Sequence, residues 1–131
     1  MSEENVAIVR RIYDAYAAGD FETAFELIDP AVEFDGTVRP EGGMYYGHPG
    51  LAEALRTWTG TWESWRLELE QVVDADPHVV AIERQSGRGK GSGLRWAEET
   101  ATLFTLREGK VVRMVWFVSR GAALEAAGLP E

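Results

Sequence analysis

The chain has 131 residues, 45% of them hydrophobic, with a formal net charge of −9 and no cysteine. That length and apolar content suit one domain with a substantial core and argue against disorder. The acidic balance repels phosphate backbones and anionic lipid, so neither nucleic acid nor a membrane is expected as a partner.

With no cysteine and only His48 and His78, disulfides and thiolate chemistry are ruled out, and neither a dedicated metal site nor a cofactor is expected. Met1-Ser2-Glu3-Glu4 lacks the basic and apolar regions of a signal peptide, and a cytoplasmic location is expected.

Val6, Val9, Tyr13 and Tyr16 recur at three-to-four spacing beside Ile8, Ile12 and Ala15. This predicts a helix with a wide apolar face, ending at Gly19. Asp20 caps a short second helix carrying Phe21, Ala24, Phe25 and Ile28, which Asp29-Pro30 stops. Val32-Glu33-Phe34-Asp35 reads as a short strand closed by Gly36, and residues 37–47 read as a loop. A third helix opens near Pro49 and carries Leu51, Leu55, Trp58 and Trp62, with Gly60 weakening its last turn.

Four strands then follow in a run. Trp65, Leu67 and Leu69 alternate with Arg66, Glu68 and Glu70, and after a turn at Asp74-Ala75-Asp76-Pro77 the segment Val79-Val80-Ala81-Ile82 begins the next strand. The glycine run from Gly87 to Gly93 lacks the Ser or Thr that a phosphate loop needs after Lys90, and it reads as a hairpin end.

The last two strands form a long hairpin, Leu94 to Val118, turning at Arg107-Glu108-Gly109. A two-residue turn would force Glu108 into a left-handed backbone, so a three-residue loop pairing Leu106 with Lys110 is expected. That register puts Glu98, Thr100 and Thr102 on the face of Met114, Trp116 and Val118, and a slip of one residue would reverse it. A short helix over Ala122–Ala127 ends at Gly128. The order predicts one α+β domain over residues 1–131 with a mostly antiparallel sheet.

Five tryptophans are many for this length; they read as core fillers or as the wall of a cavity for an apolar ligand. Asp35 reads as a turn aspartate or as a carboxylate at a cavity mouth, where apolar surroundings would raise its pKa. Glu98 is a second candidate acid, or half of a surface ion pair. Val111, Val115 and Phe117 make a second apolar row on the outward face of the hairpin, so a homodimer through that face is expected.

Ala18-Gly19-Asp20-Phe21, Leu27-Ile28-Asp29-Pro30-Ala31-Val32-Glu33-Phe34-Asp35, Tyr46-Gly47-His48-Pro49-Gly50-Leu51 and Leu106-Arg107-Glu108-Gly109-Lys110-Val111-Val112-Arg113 together resemble the nuclear transport factor 2-like superfamily. The likeness is closest to its SnoaL-like branch. It implies a cone-shaped fold in which a curved sheet wraps a pocket closed by three N-terminal helices, often as a homodimer. Members include ketosteroid isomerase, polyketide cyclases and limonene epoxide hydrolase, beside many without known catalysis.

Asp35 falls where the isomerase carries its proton-shuttling aspartate. The isomerase's helix 1 tyrosine falls on Ile12, with Tyr13 and Tyr16 nearby, and its protonated second aspartate falls on Thr102. The hydrolase's Arg-bridged aspartate pair has no clear counterpart.

The resemblance implies a small-molecule pocket protein. In one reading it is an isomerase- or cyclase-type enzyme in which Asp35 moves a proton and Tyr13, Tyr16 or Thr102 polarises the substrate oxygen. The expected ligand contacts are Tyr13, Phe34, Trp58, Trp62, Glu98, Thr100, Met114 and Trp116. The other reading is a non-catalytic apolar-ligand-binding or dimerisation module.

Overall fold

The computed structural model describes residues 2–40 and 42–129. Two helices, α1 (Ser2–Ala17) and α2 (Phe21–Glu26), lead into β1 (Ile28–Asp35), the short β2 (Met44–Tyr46) and α3 (Gly47–Gly60). Then come β3 (Trp62–Ala75), β4 (His78–Gly89), β5 (Arg95–Arg107) and β6 (Lys110–Phe117), and α4 (Arg120–Ala126) follows. The strands form one curved, open sheet in the order β2-β1-β6-β5-β4-β3. Every neighbouring pair is antiparallel except β1 and β6, which run parallel.

The fold is therefore the α+β architecture expected. Beyond the sequence reading, β2 lies inside the stretch taken as loop, and α3 stops at Gly60, so Trp62 opens a strand and does not extend the helix. Asp20 does cap α2, accepting the Thr23 N–H at 3.1 Å.

Two apolar layers flank the sheet. On the concave face α1 buries Val9 and Ile12 against Val79, Ala81, Phe104 and Met114. Each fully buried aliphatic side chain there contributes roughly 1.5–3 kcal/mol. On the convex face Val80, Ile82, Ala101 and Leu103 pack with Ala123 and Leu124 of α4. Ser119 caps that helix, its hydroxyl accepting the Ala122 N–H at 3.1 Å.

The β5–β6 hairpin reaches the expected facing by an unexpected route. Glu108 (φ 52°) and Gly109 (φ 79°) are both left-handed, and Arg107 pairs with Lys110, so the turn has two residues and not three. Alone, that turn would put Thr102 on the face of Val115. A bulge corrects it: Leu106 pairs with Val111 but Thr105 with Arg113, leaving Val112 over. Beyond the bulge Thr102 lies opposite Trp116 and Phe104 opposite Met114. The same bulge turns Val111 into the concave core, fully buried, so it leaves the outward row in which it was expected. Val115 and Phe117 stay outward, half-buried beside α4.

Candidate functional site

Side chains on a strand alternate between faces, so one row of β4 looks into the concave side. Val79, Ala81, Glu83 and Gln85 lie opposite Phe104, Thr102, Thr100 and Glu98 of β5. The row is apolar for two residues and then turns polar, deep under the helices.

Glu83 is only 2% exposed. Its Oε2 accepts a hydrogen bond from the Tyr13 hydroxyl of α1, and its Oε1 accepts from Thr100 and Thr102, each at 3.0 Å. None of these partners is a cation. Burial pushes the carboxyl pKa up, and the donors Tyr13, Thr102, Thr100 and Trp116 pull against it. Burial, reinforced by the Glu83 charge, likewise raises the Tyr13 and Tyr16 hydroxyls above their ordinary value.

Gln85, also 2% exposed, stands one step nearer the mouth. Its Oε1 accepts the indole N–H of Trp58 from α3 at 2.9 Å and that of Trp65 from β3 at 2.8 Å. Its Nε2 donates to the Thr100 hydroxyl at 3.0 Å, and Thr100 donates on to Glu83. Buried polar groups require such partners.

Above this chain lies a cavity of about 80 Å³. Glu83, Gln85 and Thr102 form its floor; Tyr13, Tyr16, Phe34, Met114 and Trp116 stand around it, and Trp58 with Leu55 and Leu51 closes it from α3. The Tyr16 hydroxyl is buried here without a protein partner. A smaller recess of about 50 Å³ adjoins it toward the 36–43 loop, sharing Phe34, Ala54, Trp58 and Trp116 as common wall.

Of the residues expected at the site, Tyr13, Tyr16, Phe34, Trp58, Thr102, Met114 and Trp116 are thus brought together. Four are not on the cavity wall. Thr100 is fully buried behind Glu83, bonded to it. Trp62 stacks on Trp96 at 4.6 Å and meets Trp58 edge-on. Glu98 pairs with Arg39 at the mouth.

Asp35 is the main correction. In the parallel pairing of β1 with β6 it lies beside Val115, on the convex face, while Phe34 beside Met114 faces the cavity. Its Oδ1 accepts from the Thr37 hydroxyl at 2.6 Å and the Thr37 N–H at 3.0 Å, and Arg113 stands 3.9 Å from Oδ2. The Thr37 hydroxyl does most to hold its pKa below the ordinary value, helped by the Thr37 amide and Arg113 against slight burial. The expected rise is reversed, because the local turn supplies donors and the sheet turns the carboxylate outward.

Glu83 and Gln85 escaped the sequence reading. The signal was present: carrying β4 past Ile82 gives Glu83 the parity of Val79 and Ala81, opposite the polar line of β5. His78 is half-buried with Nδ1 2.9 Å from the Thr105 hydroxyl. Among the described residues no three His, Asp or Glu side chains are grouped as metal ligands, and no helix is long and apolar enough to cross a membrane.

A curved α+β sheet closed by helices over an acid-floored cavity defines a class of small-molecule pocket folds. Residues 9–114 match the SnoaL-like domain, and the chain belongs to that family. Bal32a, from a soil-derived mobile gene cassette, has a similar structure at TM-score 0.81 and 23% identity, covering 95% of this chain and 96% of its own. TerC, co-crystallised with polyporic acid, matches at TM-score 0.76 and 22% identity over 95% of this chain and 98% of its own. A Catenulispora acidiphila DSM 44928 protein of ketosteroid isomerase-like fold, in complex with trimethylamine, matches at 0.73 and 19% over 94% and 93%. No curated protein matches the sequence.

Proposed function

We propose that this protein is a proton-transfer enzyme of the isomerase or cyclase type, acting on an apolar, oxygenated small molecule with Glu83 as its base. The observation that carries this reading is a carboxyl buried on the cavity floor, raised in pKa and with no cation beside it. Buried acids of that kind reach the range where general acid–base catalysis is effective. The Tyr16 hydroxyl, without a partner, is the group left to polarise a substrate oxygen. Thr102 has its proton committed to Glu83, so it tunes the base and does not touch the oxygen. Asp35, on the other face, has no part in the step.

A non-catalytic binding protein is the second reading, favoured by one fact: both Glu83 oxygens already accept hydrogen bonds. The two separate on 2-tetralone, whose α-protons exchange with D₂O once its carbonyl is polarised and a base is at hand. NMR should show exchange accelerated by the protein and reduced at least about 100-fold by Glu83→Gln, with affinity retained. Asp35→Asn should leave the rate unchanged. Binding with no exchange would establish the non-catalytic reading.

Val115 and Phe117 form an apolar strip on the convex face beside α4, which suits a second copy of the chain. Light scattering at micromolar concentration should give twice the monomer mass. The acidic, cysteine-free composition fits a cytoplasmic protein, which fractionation of the producing cells would check.

A further inference from the structure

Arg39 is unusual in being a largely buried guanidinium on a loop. The loop is tied by Gly36 N–H to Gly43 O at 2.9 Å and Gly42 N–H to Arg39 O at 2.9 Å. It lays the Arg39 guanidinium carbon 4.8 Å from the Trp58 ring centre and 5.0 Å from that of Trp116. One nitrogen, Nη2, donates to Glu98. Nε is buried with no protein partner, and so is the indole Nε1 of Trp62, whose ring abuts Trp58 and Trp96 beneath the same arginine. An arginine has five N–H donors and an indole only one N–H, and neither accepts. Trp62 does not line the recess that Arg39 walls, so the spare donors offered there are those of the guanidinium, beside the Thr57 and Thr61 hydroxyls.

Its charge balance narrows the choice further. Glu98 already neutralises Arg39, and the whole chain carries −9. A second carboxylate there would be opposed by Glu98, whereas a carbonyl oxygen would take the idle donors without that repulsion.

We infer that Arg39 selects the far end of the ligand: a flat apolar molecule with one oxygen in the Glu83–Tyr16 cavity and an uncharged acceptor oxygen, a ketone in the simplest case, in the Arg39 recess. This rests on the cavity reading above for the near end only. The two spaces share the Trp58–Trp116 wall, whose rings meet edge-on at 4.9 Å, so one planar body reaching both must run along those rings.

Three probes of one shape test this by titration calorimetry: 2-naphthol, 6-acetyl-2-naphthol and 6-hydroxy-2-naphthoic acid. The acetyl compound should bind about tenfold more tightly than 2-naphthol, equivalent to about 1.4 kcal/mol, and the acid no better than 2-naphthol. Arg39→Met should erase the acetyl advantage while leaving 2-naphthol affinity unchanged, and Arg39→Lys, keeping charge without the planar fork, should restore only part of it. Melting curves confirm that each variant is folded.

If 2-naphthol binds and the acetyl group adds nothing, or adds as much in Arg39→Met, the Arg39 inference is wrong and the cavity reading stands. If the acid binds tightest, the uncharged class is wrong. If 2-naphthol fails to bind at all, both the inference and the cavity reading fall.

Discussion

Glu83 and Asp35 show how two carboxylates in one small chain acquire opposite tendencies. Glu83 is enclosed and rises; Asp35 is held by Thr37 at the surface and falls. The stability consequences have opposite signs. Below the ordinary glutamate value of 4.5, Glu83 is protonated in folded and unfolded chains alike and its burial carries no charge penalty. As pH climbs from there through the raised folded value, the unfolded chain releases the proton first, and stability falls. Glu83→Gln should remove that decline, flattening the melting temperature between pH 4.5 and neutrality relative to wild type. A variant that keeps the full slope would assign it to another group. For Asp35 the stabilisation is present at neutral pH and is lost as pH drops through its lowered pKa. Asp35→Asn should thus melt slightly lower at pH 7, by about 0.5 kcal/mol given its exposure, and equal wild type in acid.

Among the elements, the β5–β6 hairpin carries the clearest prediction. Glu108 sits at φ 52° before Gly109 at φ 79°, a turn in which Asn-Gly is strongly preferred. Glu108→Asn should stabilise by about 0.5–1 kcal/mol, and Gly109→Ala should cost about as much or more. Denaturant melts of the two variants check both signs. This hairpin also shows what the sequence could disclose. Helix α1 was legible from Val9, Ile12, Tyr13 and Tyr16, because 3.6-residue periodicity is local. The polar line Thr100-Thr102 marked the face on which the cavity lies, because polar residues on a core face demand a reason. Hidden were the bulge at Val112, the parallel seating of β1 on β6, and the facing of Asp35. The last two depend on strands far apart in sequence, and in all three one residue of offset reverses a strand.

At the scale of the molecule, 22 acidic against 13 basic residues leave a surface that repels itself. Exposed ion pairs such as Arg113 with Glu33 and Arg120 with Glu99 offset little of this. Added salt should therefore raise the melting temperature between about 20 and 300 mM as the repulsion is screened. A fall would mean that the ion pairs outweigh the net charge. Removing the Ser119 cap by Ser119→Ala should cost about 1 kcal/mol through α4, which covers the convex layer. Cavity and convex layer lie on opposite faces of the sheet, so ligand affinity should survive that change.

The amide oxygen of Gln85 holds two indoles, one from α3 and one from β3. In a deuterium-exchange experiment the Trp58 and Trp65 ring protons would share a single lock, slow together in the closed molecule and quick together when α3 lifts. Their joint rate would then measure how often the roof of the cavity opens, a clock for entry that needs no knowledge of what enters.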